Sequence, residues 1–211
     1  MFIKLQHLSG EKIRRQTMTN SKKQSNFHFL FSTVFGLGKT NKCFSILSAS
    51  IIAIPLSYII LFSSTKLLST TKFDVALYGF FLAILILAGL TALAIYSSGI
   101  YSKQIKIKDP NEVIIDEVLG QSVSIILTVP FTFPIIIFSN LYQKFQISDN
   151  FILIVALILN IVLFRLFDSF KPWPINAFEK LKGGFGIVLD DIAAGFFAAV
   201  IYYVLLFTAI N

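Results

Sequence analysis

The sequence predicts an all-α membrane protein, a polytopic bundle of about five spanning helices with a site at its cytoplasmic face. Two observations predict the bundle. The composition is 55% hydrophobic and only 14% charged, whereas soluble domains average roughly 25% charged residues. The apolar residues also collect in stretches close to the roughly 20 residues that a helix needs to cross the hydrocarbon core. We therefore expect these side chains to face lipid.

Five apolar stretches qualify as spans. They are residues 44–62, 75–96, 119–138, 151–167 and 192–210. The first 42 residues are basic and polar and lack an apolar core ahead of a cleavage site, so we predict no cleaved signal peptide. Residues 1–30 are predicted to be a basic arm, and residues 31–211 a single membrane domain. The only cysteine, Cys43, cannot form an internal disulfide, and we expect a buried thiol.

The basic residues predict the orientation. Fifteen of the 18 Lys and Arg residues lie before the first span, between the second and third, or from the end of the fourth to the start of the fifth. Short loops rich in these residues stay cytoplasmic. We therefore expect the N-terminus inside and the C-terminus outside. In a chain with spans, the net charge of +7 indicates a topology signal rather than nucleic-acid binding.

The acidic residues share the predicted cytoplasmic side. Eight of the 11 lie in the two inner loop regions: Asp109, Glu112, Asp116, Glu117, Asp168, Glu179, Asp190 and Asp191. Because an even number of spans separates these regions, they can converge on one site. A solvated charged face is the alternative. However, the pairs at 116–117 and 190–191 stand at the mouths of spans, where burial of an unpaired charge costs about 2.5–3.5 kcal/mol.

The first acidic pair follows a turn at Asp109-Pro110 and enters the first turns of a helix. The positive end of a helix dipole keeps such carboxylates ionised, as ligands of a hard divalent cation must be. Capping explains one acid but not an adjacent pair. We interpret Asp116 and Glu117 as metal ligands or as a general base.

Arg165, Asp168 and Lys171 are spaced three residues apart at the end of the fourth span, so a helix places them on one face. We interpret Arg165 and Lys171 as a clamp for phosphate and Asp168 as a metal ligand. The alternative is a snorkelling arginine in a surface ion pair. Pro172 then ends the helix, and Trp173 suits the headgroup level.

A glycine-rich loop precedes the second acidic pair. Gly183, Gly184 and Gly186 lead to Asp190-Asp191, and glycines let a backbone approach a phosphate closely. The small residues that follow, Ala194, Gly195, Ala198 and Ala199, have the spacing that lets helices pack tightly in membranes. Such packing would bring this acidic pair near the first.

Together these motifs resemble the phosphatidylglycerophosphatase A family, integral membrane enzymes that remove the terminal phosphate of phosphatidylglycerophosphate. The resemblance extends over about residues 30–205. Three motifs carry the resemblance. The first is Ile115-Asp116-Glu117 with Gly120, and the second is Phe164-Arg165 through Asp168 to Lys171-Pro172-Trp173-Pro174-Ile175. The third is Gly183-Gly184-x-Gly186-Ile187 through Asp190-Asp191 to Ala194-Gly195. The family's Pro-Gly-Thr element is missing from the first span, where Phe44-Ser45-Ile46 takes its place.

The resemblance implies a Mg²⁺-dependent hydrolase of phospholipid synthesis in the bacterial inner membrane, with a cytoplasmic active site. Asp116, Glu117, Asp190 and Asp191 would hold the metal or act as base, with Asp168 as a further catalytic residue. Gly183, Gly184 and Gly186 would join Arg165 and Lys171 at the phosphate. Attack by water and an aspartyl-phosphate intermediate both stay open, as does the number of metal ions.

Two other functions fit parts of the pattern. Intramembrane acids also mark ion paths, as in a Mg²⁺ transporter, but the spans contain almost no charge, so we expect no polar path across them. An inactive structural homologue would explain the altered first loop.

The string Gly36-Leu37-Gly38-Lys39-Thr40 ends like a phosphate-binding P-loop, but Thr33 stands where that pattern needs glycine. We therefore predict a phospholipid substrate and no nucleic acid, and no protein partner can be inferred.

Overall fold

A computed structural model of the chain describes residues 26–67, 73–137 and 148–210. All regular structure in these ranges is helical, which confirms the predicted all-α fold. The helices are α1 (Lys42–Leu67), α2 (Phe73–Ile105), α3 (Ile115–Ile137), α4 (Asp149–Phe170), α5 (Ile175–Phe178) and α6 (Gly184–Ile210). A helical stretch over residues 26–32 and a 3₁₀ turn, Leu37–Lys39, precede α1. Most of the predicted basic arm, residues 1–25, lies outside the described residues.

Four of these helices are long and apolar enough to cross a membrane by length and composition. The qualifying stretches are Lys42–Ser64, Leu77–Ile105, Asp149–Phe170 and Gly184–Ile210, and they overlap four of the five predicted spans. The remaining predicted span, the third in chain order (residues 119–138), coincides with α3 except at residue 138, which lies outside the described residues. The structure thus confirms the predicted bundle of about five spanning helices.

The central helix of the bundle is α3, which packs against α1, α2, α4 and α6. Its contact with α6 is close because two glycines meet there. A Cβ atom at Gly195 would collide with the carbonyl oxygen of Gly120, and one at Gly120 with the carbonyl oxygen of Asp191. The predicted small-residue packing of the last span is therefore present, and it holds the second acidic pair against the start of α3.

Neutral polar side chains continue through the bundle beyond the acids. Asn160 of α4 accepts hydrogen bonds from Ser124 at 2.6 Å and Thr128 at 2.9 Å, and the hydroxyls of Thr132 and Tyr202 are 2.8 Å apart. The expectation of no polar path across the spans counted only charged residues and did not consider these neutral groups. Since these groups bond to one another, they act as cross-links that hold α3, α4 and α6 together.

The segment before α1 is tied to the loop that precedes α3. The backbone N–H of Ile114 donates to the carbonyl oxygen of Ser32 at 3.1 Å. Gly38 approaches the same loop so closely that a Cβ atom would collide with the carbonyl oxygen of Glu112. His28, at the described end of the predicted arm, is buried and lies 3.3 Å from Ser97 Oγ of α2. These contacts hold residues 38–42 at the end of the bundle where the acids lie.

Candidate active site

A cavity of about 640 Å³ opens at the end of the bundle where α1, α3 and α6 begin and α4 ends. Of the eight acids in the two inner loop regions, seven line it, and Glu179 does not. The seven are Asp109, Glu112, Asp116, Glu117, Asp168, Asp190 and Asp191. Arg165 and Lys171 line it as well. The two acidic regions therefore converge, and the roles of their residues stay predictions.

Two carboxylates in this cavity are buried without a cation. Asp116 is 8% exposed and Asp191 is 4% exposed. One oxygen of Asp116 accepts the backbone N–H of Glu117 at 2.9 Å, but neither aspartate forms a salt bridge within the described part of the chain. Their negative charges repel each other. Two buried like charges are unfavourable unless a cation or a proton joins them.

Asp190 has one partner and one open oxygen. Lys171 Nζ donates to its Oδ2 at 2.5 Å. Burial alone would lower the pKa of Lys171, but the bond to Asp190 and the charges of Asp190, Asp191 and Asp168 raise it above its ordinary value. This lysine therefore stays charged. The other carboxylate oxygen, Asp190 Oδ1, is buried and has no hydrogen-bond partner among the described residues.

Arg165 ties α4 to α1 and α3. Its Nη1 donates to Glu117 Oε2 at 2.7 Å and lies 3.5 Å from Asp168 Oδ2. Nη2 donates to the carbonyl oxygen of Ile46 at 2.7 Å, and Nε and Nη2 lie 3.3 and 3.0 Å from Ser50 Oγ. All three guanidinium nitrogens thus have partners inside the fold. The structure shows Arg165 as a cross-link, and its predicted contact with phosphate stays a prediction.

The three glycines of the predicted phosphate loop do not line the cavity. Gly183 has a left-handed φ of 65°, which lets the chain turn into α6. A Cβ atom at Gly184 would collide with the carbonyl oxygen of Ile95 in α2, and one at Gly186 with that of Leu181. The geometry therefore gives these glycines a turn and packing role, and their predicted contact with phosphate stays a prediction.

The sequence interpretation missed one side of the cavity. Residues of the segment before α1, and of its first turn, form this wall: Gly38, Lys39, Thr40, Lys42, Ser45 and Ile46. The Gly-Lys-Thr string, rejected as a nucleotide loop, is here because Gly38 packs on Glu112. The sequence does contain an indication of this wall, because the Pro-Gly-Thr element that the family has and this chain lacks maps to the first turn of α1. Asn111 and Ser169 also line the cavity, and the sequence analysis did not predict them as site residues.

The chemistry of the acidic side chains fits a hard divalent cation. All candidate ligands are carboxylate oxygens, which Mg²⁺ prefers over nitrogen or sulfur, and Asp190 Oδ1 lacks a partner. No three His, Cys, Asp or Glu side chains in residues 26–67, 73–137 and 148–210 are grouped so that they could hold an ion by themselves. Mg²⁺ usually takes one or two carboxylates and completes its coordination with water and substrate phosphate. This arrangement therefore fits an ion that binds together with a phosphate.

Fold and site together define an integral membrane protein with an acid-lined, partly cationic cavity at one end of a helical bundle. A family model described as Phosphatidylglycerophosphatase A matches residues 30–206. The chain therefore belongs to the phosphatidylglycerophosphatase A family, as the sequence motifs predicted.

Curated relatives match over shorter stretches. Phosphatidylglycerophosphatase A of Escherichia coli is 51% identical over 43 residues, which cover 20% of this chain and 25% of that protein. The Haemophilus influenzae protein of the same name is 50% identical over 42 residues, 19% of this chain and 26% of its own. A Bacteroides thetaiotaomicron protein, provisionally named a phosphatidylinositol-3-phosphatase, is 30% identical over 94 residues, 44% of this chain and 47% of its own. The chain thus aligns with a quarter to a half of the length of these relatives. No solved structure matches it significantly.

Proposed function

We propose that this protein hydrolyses the terminal phosphomonoester of phosphatidylglycerophosphate, with Mg²⁺ as cofactor, and releases phosphatidylglycerol and phosphate. The observation that carries the proposal is the buried pair Asp116 and Asp191, which lies beside Asp190 in one cavity and has no cation of its own. Membership of the family supports the reaction, and the names of two relatives support the substrate.

The candidate metal ligands are Asp116, Glu117, Asp190 and Asp191, of which one or two would contact the ion directly while the others would bind its water molecules. When bound, Mg²⁺ would neutralise charge on the transferred phosphate and help to orient water. Lys171 is charged and lines the cavity, so it supplies a positive charge for phosphate while it holds Asp190 in place. An aspartate of this group would take the proton from the attacking water, and Asp168 lines the same cavity.

Phosphate release tests the proposal directly. Purified protein in detergent should release phosphate from phosphatidylglycerophosphate, lose this activity in EDTA and regain it with Mg²⁺, because the buried carboxylates need a cation beside a phosphate. Free phosphate is the readout, and Zn²⁺ in place of Mg²⁺ is the matched control. Full turnover in metal-free solution would remove the metal from the proposal. Mg²⁺ flux through proteoliposomes without phosphate release would favour the transporter.

We also propose that the cavity faces the cytoplasm across a bacterial inner membrane. Support comes from the distribution of Lys and Arg. Fifteen of the 18 lie before or at the start of α1, from the end of α2 to α3, or from the end of α4 to the start of α6, and each of these segments contributes residues to the cavity. A phospholipid made on the cytoplasmic leaflet would then reach the cavity without crossing the membrane.

Thiol labelling tests this orientation. Single cysteines are placed at the exposed positions Asn111 and Glu179, near the cavity end, and at Asn150, near the other end. The background carries Cys43→Ser, because Cys43 is exposed rather than buried as the sequence led us to expect. An impermeant reagent added to intact cells should label the cysteine at 150 and spare those at 111 and 179. The reverse pattern would place the cavity outside.

A further inference from the structure

The cavity wall contributed by α1 and the segment before it carries two lysines that the proposed reaction does not use. Lys42 forms no salt bridge within the part of the chain that the structure describes. Lys39 Nζ lies 3.7 Å from Glu112 Oε2, in a pair whose side chains are 53% and 40% exposed. The same ammonium lies 4.7 Å above the ring of Phe29. Both lysines line the cavity. The pair between Lys39 and Glu112 is long and exposed, so an anion can compete with it for the lysine.

The backbone beside these lysines offers hydrogen-bond donors. Asn41 caps α1, since its Oδ1 accepts the N–H of Phe44 at 2.9 Å and its carbonyl oxygen accepts that of Ser45 at 2.9 Å. The N–H groups of Lys42 and Cys43, in the same first turn, have no acceptor among the described residues. Free amides at the positive end of a helix dipole favour a negative group.

Arg165 fixes the position of this cationic wall relative to α3. That side chain bonds to Ile46 and Ser50, which lie one and two turns beyond Lys42 in α1, and to Glu117 in the first turn of α3. Lys42 precedes Ile46 by one helical turn, about 6 Å along the axis. Lys42 is also the first residue of the membrane-crossing stretch. It therefore stands where the apolar stretch of α1 begins, at a position that suits a polar headgroup better than an acyl chain.

We propose that Lys42, Lys39 and the first turn of α1 form a second anion site, which binds the phosphodiester of the lipid headgroup. This inference rests on the proposed function, because it assigns the two phosphates of that substrate to different walls of one cavity. The phosphomonoester lies at the carboxylates and Lys171, and the phosphodiester lies at the α1 wall. The reaction product keeps the phosphodiester, so it should occupy the α1 wall after phosphate has left.

Binding of short-chain phosphatidylglycerol tests this site, because that lipid carries a phosphodiester and no phosphomonoester. Titration calorimetry on the full chain in detergent should show binding that Lys42→Ala weakens about tenfold, the effect of losing one charge-assisted hydrogen bond. Lys42→Arg keeps the charge and should restore binding. Lys180→Ala is the matched control, since it removes an exposed lysine from the same end of the bundle but outside the cavity wall.

Turnover separates this inference from the proposed reaction. With phosphatidylglycerophosphate the loss in Lys42→Ala should fall on KM rather than on kcat, because the carboxylates and Lys171 that meet the phosphomonoester are unchanged. Phosphatidylglycerol binding that ignores Lys42→Ala, or that Lys180→Ala weakens equally, would overturn the second anion site. A wild-type protein that binds phosphatidylglycerol through Lys42 but releases no phosphate would leave the site standing and refute the reaction.

Discussion

Asp116→Asn and Asp191→Asn should each abolish phosphate release, with a loss of more than about 100-fold. Residues that only support a metal ligand typically cost 10–100-fold when they are replaced, and a direct ligand should cost more. Asparagine keeps the size and shape of aspartate but removes the negative charge that a bound cation needs. Turnover with phosphatidylglycerophosphate at several Mg²⁺ concentrations measures the loss in kcat and in metal affinity.

The same two substitutions should not unfold the protein. Asp116 and Asp191 are buried, and their charges repel each other. Removing one charge relieves that repulsion, so the melting temperature in metal-free buffer should stay level or rise. Asp149→Asn, an acid-to-amide change at the opposite end of the bundle, serves as the control for activity. Near-normal turnover in the double variant would refute the metal site, and loss of folding in each single variant would favour a structural charge network.

Arg165→Lys should lower both stability and activity. A lysine can meet Glu117 but cannot also reach Ile46 and Ser50, because it has one donor atom where the guanidinium has three. Hydrogen bonds that involve a charged group contribute about 1.5–3 kcal/mol. We expect the free energy of unfolding to fall by about this amount, as measured by thermal unfolding in detergent.

Ser50→Ala separates the two roles proposed for Arg165. It removes the contacts with Nε and Nη2 and leaves the charge of the arginine in place. If Arg165 acts as a cross-link, the free energy of unfolding of this variant should fall by about 1 kcal/mol. Its activity should also fall, but by less than that of Arg165→Lys. If Arg165 clamps phosphate, Ser50→Ala should be near normal, and Arg165→Lys should raise KM without any change in melting temperature.

The sequence by itself determined the class of protein and the end of the bundle at which its acids lie. Apolar length is a property of a continuous segment, so the spans could be located without any knowledge of their neighbours. Because an even number of spans separates the loops that contain Asp116 and Asp190, these loops had to lie on one side of the membrane. The spacing of small residues around Gly195 predicted which face of α6 packs closely, and the contact with Gly120 bears this out.

Only the tertiary structure decided which side chains meet. Arg165 and Asp168 lie 3.5 Å apart on α4, as their spacing indicated, but Lys171 is the left-handed residue that ends this helix, so the predicted shared face does not extend to it. Arg165 bonds to α1 and α3, while Lys171 bonds to Asp190. Gly184 and Gly186 belong to a glycine pattern that fits a phosphate loop, and in the fold they pack against the backbone of Ile95 and Leu181. The partner of a side chain depends on how far each helix is rotated and shifted against the next. Contacts between distant segments, such as Gly120 with Gly195, set these quantities, and no local pattern contains them.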